Sequence, residues 1–334
     1  MSLQIKLSDY YIAYFDILGY RGLFSGNEGQ NCEIIENIIT AFNKISNSIN
    51  QNNSSPILQA VDLKIEKRMF SDNIVFCLPV ENGAFEVFRI MAFLNQICDF
   101  QKGLCLEHKI FIRGAIVKDK AYLSEHTIQG PGIIKAASME EKDAVYPRIL
   151  LDASIENAIN SNCANDGISQ IVGSWLKKII QVFPDDKLFL NYLYNQKSLF
   201  DVLPELQDEK NQTSLLNQLK EISISDFTNV TVSLKNSSST KSILEKHKNV
   251  LIEKINQYSN YDDIKNQKEA DLKERIIKKY HWVLSYHNLM CKLNDEMEFE
   301  IKYADIIDYR YGTFLIMLVD NNTGNERSDK TIEK

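Results

Sequence analysis

The chain is poor in the residues that build zinc sites, disulfide frameworks and membrane spans. Six cysteines, Cys32, Cys77, Cys98, Cys105, Cys163 and Cys291, are scattered over 334 residues with no CxxC pair and no histidine at zinc-like spacing beside them. That pattern excludes the common structural zinc arrangements. Cys77 and Cys98 fall in apolar surroundings and read as small buried hydrophobes, which suits a reducing compartment. The five histidines, His108, His126, His247, His281 and His287, form no cluster along the chain, and the last two, flanking Trp282 and Tyr286, read as packing in a helix. No Walker-type glycine loop and no serine or cysteine nucleophile arrangement is present. The opening Met1–Lys6 has no signal-type apolar core, and the late apolar run from Thr313 to Val319 is far too short to span a bilayer. The expected location is the cytoplasm, without membrane attachment. Positive charge is also scarce: 38 Lys and Arg against 45 Asp and Glu leave a net charge of −7. This argues against a general nucleic-acid or anionic-membrane binder, while leaving room for a local basic pocket that takes one small anion.

What the chain does have is apolar material at 44% of its residues, enough for one large core or two smaller ones. Its first half alternates between period-two and helical patterning. Residues 10–18 read as a strand and 31–50 as a helix, with Ile34, Ile35, Ile38, Ile39, Phe42 and Ile45 on its apolar stripe. Two adjacent strands, 60–70 and 73–79, broken only at Ser71-Asp72-Asn73, form a hairpin with Asp72 near its tip. A helix over 84–102 and a strand over 109–118 follow. Strand, helix, strand, strand, helix, strand is the ferredoxin-like order, βαββαβ, so the expected fold class is α+β. Further on come a short helix near 132–142 and a strand over 146–151, which Pro147 points to an edge or a strand start. Next are a helix around 166–183 and a strand over 187–193. Residues 1–204 make the expected catalytic domain. The polar stretch 205–242 reads as a mobile connection. Residues 243–334 read as a helical extension, with helices over 243–260 and 263–292, that packs on the core or at a dimer contact.

Two aspartates stand where a carboxylate is costly. Asp16 lies inside the apolar run Tyr10–Gly19, and Asp72 sits at the joint between two strand-like runs. Desolvation of a carboxylate there is recovered only by hydrogen bonds, a cation partner or a metal ion, and two such residues suggest a shared divalent cation. Each also has a plainer reading. Asp72 with Asn73 is ordinary turn chemistry, Asp16 could cap a helix, and Gly130-Pro131-Gly132 could be a simple loop.

Phe15-Asp16-Ile17-Leu18-Gly19-Tyr20, Phe70-Ser71-Asp72-Asn73, Ile112-Arg113-Gly114-Ala115 and Gly130 through Glu140, in that order, resemble the landmarks of class III nucleotidyl cyclases. Within that family the chain is most similar to the bacterial pyrimidine cyclases of the Pycsar antiphage system. The resemblance covers residues 8–195. It implies two divalent ions, Mg²⁺ or Mn²⁺, held by Asp16, Asp72 and the Ile17 carbonyl, and attack of a ribose 3′-hydroxyl on the α-phosphorus with loss of pyrophosphate. The backbone at Leu18, Gly19 and Tyr20 would cradle phosphate oxygens. Lys187, in Asp186-Lys187-Leu188-Phe189, resembles the late triphosphate-binding lysine.

The departures from the family pattern bear on specificity. Arg68 stands where adenylate cyclases carry a base-reading lysine, and Thr127 where they carry an aspartate. An arginine fork suits a pyrimidine carbonyl better than an adenine amine, although Arg68 could equally be a solvated strand end. Ile134 and Ser138 occupy the places of the usual asparagine and transition-state arginine. Arg113, Lys135 and Arg148 are the cations that could stand in. Each has a surface alternative, but Arg113 and Arg148 lie in apolar strands where a charge needs a partner.

The resemblance therefore implies a homodimer that shares its sites between subunits, making cyclic UMP or cyclic CMP from UTP or CTP. That product would act as an antiphage second messenger on a separate effector. The alternative is a degenerate cyclase-like domain that binds a nucleotide or a protein without turnover. A GGDEF-type polymerase is disfavoured because that signature is missing at the hairpin.

Overall fold

The computed structural model describes residues 5–24, 27–51, 63–81, 83, 86–125, 127–163, 176, 179–182, 185–194, 238–259 and 267–302. The chain begins with β1 (Ser8–Ile17), a single turn α1 (Tyr20–Leu23) and the long α2 (Glu28–Gln51). The hairpin β2 (Glu66–Phe70) and β3 (Asn73–Pro79) leads to α3 (Glu86–His108) and β4 (Ile112–Leu123). These strands order as β2-β3-β1-β4, with every neighbouring pair antiparallel. That is the arrangement of the βαββαβ core, and the fold is α+β as its element order implies.

The sheet then widens. A short β5 (Ile128–Gln129) pairs back on β4, and α4 (Pro131–Asp143) follows. Next are β6 (Ile149–Leu151), parallel to β4, then α5 (Ala153–Cys163), β7 (Ile180–Val182) and β8 (Leu188–Leu190). Two long helices, α6 (Ser238–Ser259) and α7 (Gln267–Leu293), and a short 3₁₀ turn (Met297–Phe299) come last.

Alternation along the central strands sends side chains to two distinct cores. Tyr11, Ala13, Phe15 and Ile17 of β1 join Ile74, Phe76 and Leu78 of β3 against α2 and α3. Ile12 of β1, Cys77 of β3, and Val117 and Ala121 of β4 face the other way and meet Ala136 of α4. Because Asp16 shares the parity of Ile12 and Tyr14, β1 carries it onto the α4 face.

The close approach of β1 and β4 explains one glycine. A Cβ at Gly114 would lie 2.3 Å from the Tyr14 carbonyl oxygen and 2.6 Å from the Phe15 ring, so no larger residue fits between the strands.

Several expectations are corrected here. The strand containing Pro147 is neither at an edge nor begun by it: β6 starts at Ile149 and lies between β4 and β8. Most of the helix expected over 166–183 falls outside the described residues, and Ile180–Val182 within that range are extended as β7. Helix α5 was not expected at all. Its apolar residues Ile155, Ala158 and Ile159 are few, and its start is set by Asp152, whose Oδ1 accepts the Ser154 amide at 2.9 Å. The polar connection assigned to 205–242 lies outside the described residues up to 237.

The two C-terminal helices join the sheet through a third core, in which Leu244, Leu251, Tyr280, Trp282, Val283 and Tyr286 pack on Phe111, Leu150, Phe189 and Tyr192. A one-way chain of hydrogen bonds runs through it. His287 Nε2–H donates to the Phe299 carbonyl at 2.9 Å, so its Nδ1 accepts from His247 Nδ1–H at 3.0 Å, and His247 Nε2 accepts the Tyr192 hydroxyl at 2.9 Å. Both imidazoles must be neutral for this to hold, and burial pushes both below their ordinary range, His287 to about 4.

Gly114→Ala is expected to lower stability by about 3 kcal/mol through overpacking, read as a shift in the urea midpoint without a change in slope. An unchanged midpoint would contradict the strand contact described.

Candidate functional site

The site is built at the end of β1. Register places Asp16 directly opposite Asn73 of β3 on one side and opposite Arg113 of β4 on the other. The hairpin turn is tight, with Ser71 carrying the positive φ of 58° and Asp72 following. The Ile17 amide donates to the Asp72 carbonyl at 3.2 Å, which closes the hairpin tip against the end of β1. The two aspartates are thereby brought to neighbouring positions, and each is half-buried. Asn73 links Asp72 to Tyr14: its Nδ2 donates to Asp72 Oδ1 at 3.2 Å and its Oδ1 accepts the Tyr14 hydroxyl at 2.5 Å.

A third carboxylate arrives from α4. Glu140 is on the helix face that also carries Gly132 and Ala136, and its side chain is only 8% exposed. Arg113 lies between the acids. Its Nε donates to Asp16 Oδ2 at 3.0 Å, stands 2.8 Å from Glu140 Oε1, and its Nη1 reaches the Ala144 carbonyl at 3.4 Å. Lys279 of α7 completes the electrostatics of the cluster, acting on Asp16, Glu140 and Arg113.

The charges report a crowded, partly dry pocket. Burial raises the Asp16 carboxyl above its usual range, the Arg113 hydrogen bond opposes this, and the negative charge of Asp72 adds to it. Glu140 is pushed up to about 7, first by burial and then by Asp16 and Glu141, with Arg113 and Lys279 opposing. The Tyr14 hydroxyl is raised by burial and then by Glu140, Asp16 and Asp72 together, so all three acids surround it. Burial lowers Lys279, and the neighbouring Arg113 lowers it further.

The other expected site residues divide into two groups. Arg68 and Thr127 are brought to one place, the turn between β4 and β5. Arg68 Nη2 donates to the Ser124 carbonyl at 2.8 Å, and the Ser124 amide donates to the Thr127 carbonyl at 2.9 Å. Arg68 Nη1 is also engaged, by the Lys67 carbonyl at 2.7 Å and Glu66 at 3.2 Å, while its buried Nε has no hydrogen-bond partner among the described residues.

Three cations are instead held away from Asp16 by acids of their own. Lys135 pairs with Asp152 at 2.7 Å, on the exposed side of α4. Arg148, 1% exposed, is paired through both terminal nitrogens with Asp185, and its guanidinium is ringed by Tyr146, Phe189 and Trp282 at 5.1–5.8 Å. Lys187 pairs with Asp143 at 2.7 Å. Ile134 is 71% exposed on α4.

The backbone cradle expected at Leu18, Gly19 and Tyr20 is only partly available. The Leu18 amide already donates to the Phe111 carbonyl at 2.8 Å, and α1, which Gly19 precedes with φ 73°, is a single turn with little dipole.

A divalent ion of the Mg²⁺ or Mn²⁺ type is suited to Asp16 and Asp72 in charge and donor hardness, since such ions take one or two carboxylates and fill their remaining positions with water and phosphate. Among the described residues no group of three or more His, Cys, Asp or Glu side chains is placed to hold a metal by itself.

Glu140 and Lys279 escape a reading of motifs. The available signal for Glu140 was an acid four residues after Ala136 and eight after Gly132, on the apolar face of its helix.

No protein-family profile matches the chain, and no curated protein sequence matches it. Solved structures do. The adenylyl cyclase CyaB of P. aeruginosa is similar at 15% identity over 48% of this chain and 84% of its own, with a TM-score of 0.36. The monomeric guanylyl cyclase domain of the RhoGC fusion protein from the aquatic fungus Blastocladiella emersonii is similar at 13% identity over 56% and 97%, with a TM-score of 0.36. The catalytic core of a rhodopsin-guanylyl cyclase with converted specificity, in complex with ATPαS, is similar at 14% identity over 47% and 84%, with a TM-score of 0.33.

The raised Glu140 carboxyl makes a signed prediction. A carboxyl whose folded value lies above its unfolded 4.5 contributes stability below that value and loses it as pH rises through about 7. Glu140→Gln should therefore melt above the wild type at pH 8, without added metal, and the two curves should converge near pH 4.5. Equal midpoints at both pH values would contradict the desolvation described.

Proposed function

We propose that this protein is a metal-dependent nucleotidyl cyclase that converts UTP or CTP into the 3′,5′-cyclic monophosphate and pyrophosphate. The observation that carries the reading is the convergence of Asp16 and Asp72 at adjoining strand ends, with Asn73 bridging toward Tyr14. Two carboxylates separated by more than fifty residues in sequence and half-buried at adjoining strand ends favour a cation beside them.

A bound Mg²⁺ or Mn²⁺ would neutralise the triphosphate and help ionise the ribose hydroxyl. The protein's own part is positional. Asp16 and Asp72 would supply hard oxygens to the ion, Tyr14 and Asn73 fix the hairpin tip relative to β1, and Arg113 and Lys279 offset the charge of the acids. In-line displacement at phosphorus requires little else from a protein than alignment and charge neutralisation.

The base assignment rests on Arg68 and Thr127 meeting at the β4–β5 turn, where the arginine would have to exchange a carbonyl for a pyrimidine O2 or O4. A homodimer would supply further groups across the site, and the cyclic product would act on a separate effector in phage defence.

A second reading is favoured by specific observations: Arg113 already neutralises Asp16, and Ile134 and Ser138 replace the usual asparagine and arginine. In that reading the domain binds a nucleotide or a protein partner without turnover.

Purified protein incubated with each of the four NTPs and Mn²⁺ separates the two. The expected outcome is cyclic product from UTP or CTP, reduced at least about 100-fold in Asp16→Asn and in Asp72→Asn. Product from ATP alone would overturn only the base assignment. Absence of product from all four, with NTP-dependent thermal stabilisation, would replace the cyclase reading by the second.

A further inference from the structure

Among the described residues of the acidic cluster, one carboxylate oxygen is fully buried without a hydrogen bond. Glu140 is more than nine-tenths buried, and its Oε1 receives no hydrogen bond although Arg113 Nε stands 2.8 Å away. The single N–H on that nitrogen is committed to Asp16 Oδ2 at 3.0 Å. One donor thus lies within bonding distance of two carboxylates and serves one of them. A buried acceptor left in this state costs free energy, and it is retained where a second arrangement uses it.

We propose that Glu140 is a positioning residue that provides a second seat for Arg113, so that Arg113 can release Asp16 to a divalent cation without leaving the site. This rests on the reading that Asp16 takes such an ion. Before loading, Arg113 Nε–H neutralises Asp16. On loading, a small rotation turns the same N–H onto Glu140 Oε1, and Asp16 Oδ2 becomes free.

No covalent bond changes and no proton leaves Arg113, whose guanidinium stays charged in both arrangements. Without Glu140, the displaced guanidinium would keep only the Ala144 carbonyl at 3.4 Å, and an under-partnered charge in a half-buried pocket opposes ion entry. Lys279 works in the same direction, since its charge disfavours Arg113 in the pocket and favours whichever carboxylate is unpaired.

The arrangement resembles an outer-shell partner of a metal ligand in its energetics, with the difference that it acts through a cation which must move aside.

The test follows Mg²⁺ alone. Titration of the full chain by calorimetry gives an affinity, and the ¹H–¹⁵N resonance of Arg113 Nε, assigned by its disappearance in Arg113→Lys, reports the seat. In the wild type, saturating Mg²⁺ should shift that resonance while leaving it protected from exchange with water. In Glu140→Gln, whose amide oxygen accepts only an uncharged hydrogen bond, Mg²⁺ affinity should fall on the order of 10- to 100-fold and the resonance should exchange with water faster than in the wild type on loading. Glu140→Asp, which keeps the charge, should recover most of the affinity.

An Nε–H that does not move at saturating Mg²⁺, or one equally protected in Glu140→Gln, overturns the second seat while leaving the ion site intact. The wild-type resonance decides the matter alone if the glutamine variant fails to fold. Failure of the wild type to bind Mg²⁺ saturably removes the ion site and the second seat together.

Discussion

The arginine held between Asp16 and Glu140 is the constraint on which the rest of this molecule's candidate chemistry depends. Its two partners come from β1 and α4, and its own position comes from β4, so the contact exists only when two strands and a helix are in register. A slip of β4 by one residue would turn Arg113 into the α2–α3 core, leaving a guanidinium among phenylalanines and two acids unpaired. Buried ion pairs contribute little net stability, because desolvation offsets much of their attraction. Their effect here is on specificity of arrangement: alternatives to this register are penalised heavily, and the native one is nearly neutral.

The same logic ranks the basic residues around the site. Arg148, Lys135 and Lys187 each have a private acid, Asp185, Asp152 and Asp143. These pairs join α4 and its following loop to β6, α5 and β8, and the aromatic ring around Arg148 ties in α7 through Trp282. Together they connect α4 and its following loop to the segments flanking β6 and β8, beside the strand that carries Arg113. The C-terminal helices are therefore part of the site's support. Lys279 brings one of them into its electrostatics directly. Arg113 differs from the other cations in having two acidic partners and in facing Asp16.

Much of the fold was legible because its signals are local. Alternation in Tyr11-Ile12-Ala13-Tyr14-Phe15, helical spacing from Ile34 to Ile45, and a short break at Ser71-Asp72-Asn73 are enough for the βαββαβ order. Element ends were less accessible: α3 runs to His108, six residues beyond its apolar pattern, because Leu104 and Cys105 still face a core there. Helix α5 was missed since its start depends on the side chain of Asp152 rather than on apolar spacing. In the site, Asp16 and Asp72 stood out as acids in apolar sequence. Glu140 did not, because Met139-Glu140-Glu141-Lys142 reads as a solvated surface until the helix is placed on the sheet. Lys279 is farther still, being more than 260 residues from Asp16, and nothing local marks it.

The geometry also separates the two ends of the proposed site by their physical basis. The acidic end is fixed by backbone register and by the Tyr14–Asn73–Asp72 chain, so it is present without any ligand. The end proposed to read the base would depend on Arg68, whose terminal nitrogens are bonded to two carbonyls and to Glu66, reaching across to the β4–β5 turn. Hydrogen bonds from a charged donor are worth roughly 1.5–3 kcal/mol each. A pyrimidine carbonyl that replaces the Ser124 oxygen on Arg68 would therefore gain little over the bond it breaks. Discrimination at such a position comes from how the β4–β5 turn moves when the exchange occurs, because a turn freed from Arg68 must find other partners or water. The edge strand β2 and that turn are tied to each other by the arginine. A base that fits would have to bridge the same two elements, and one that does not would leave both unlinked.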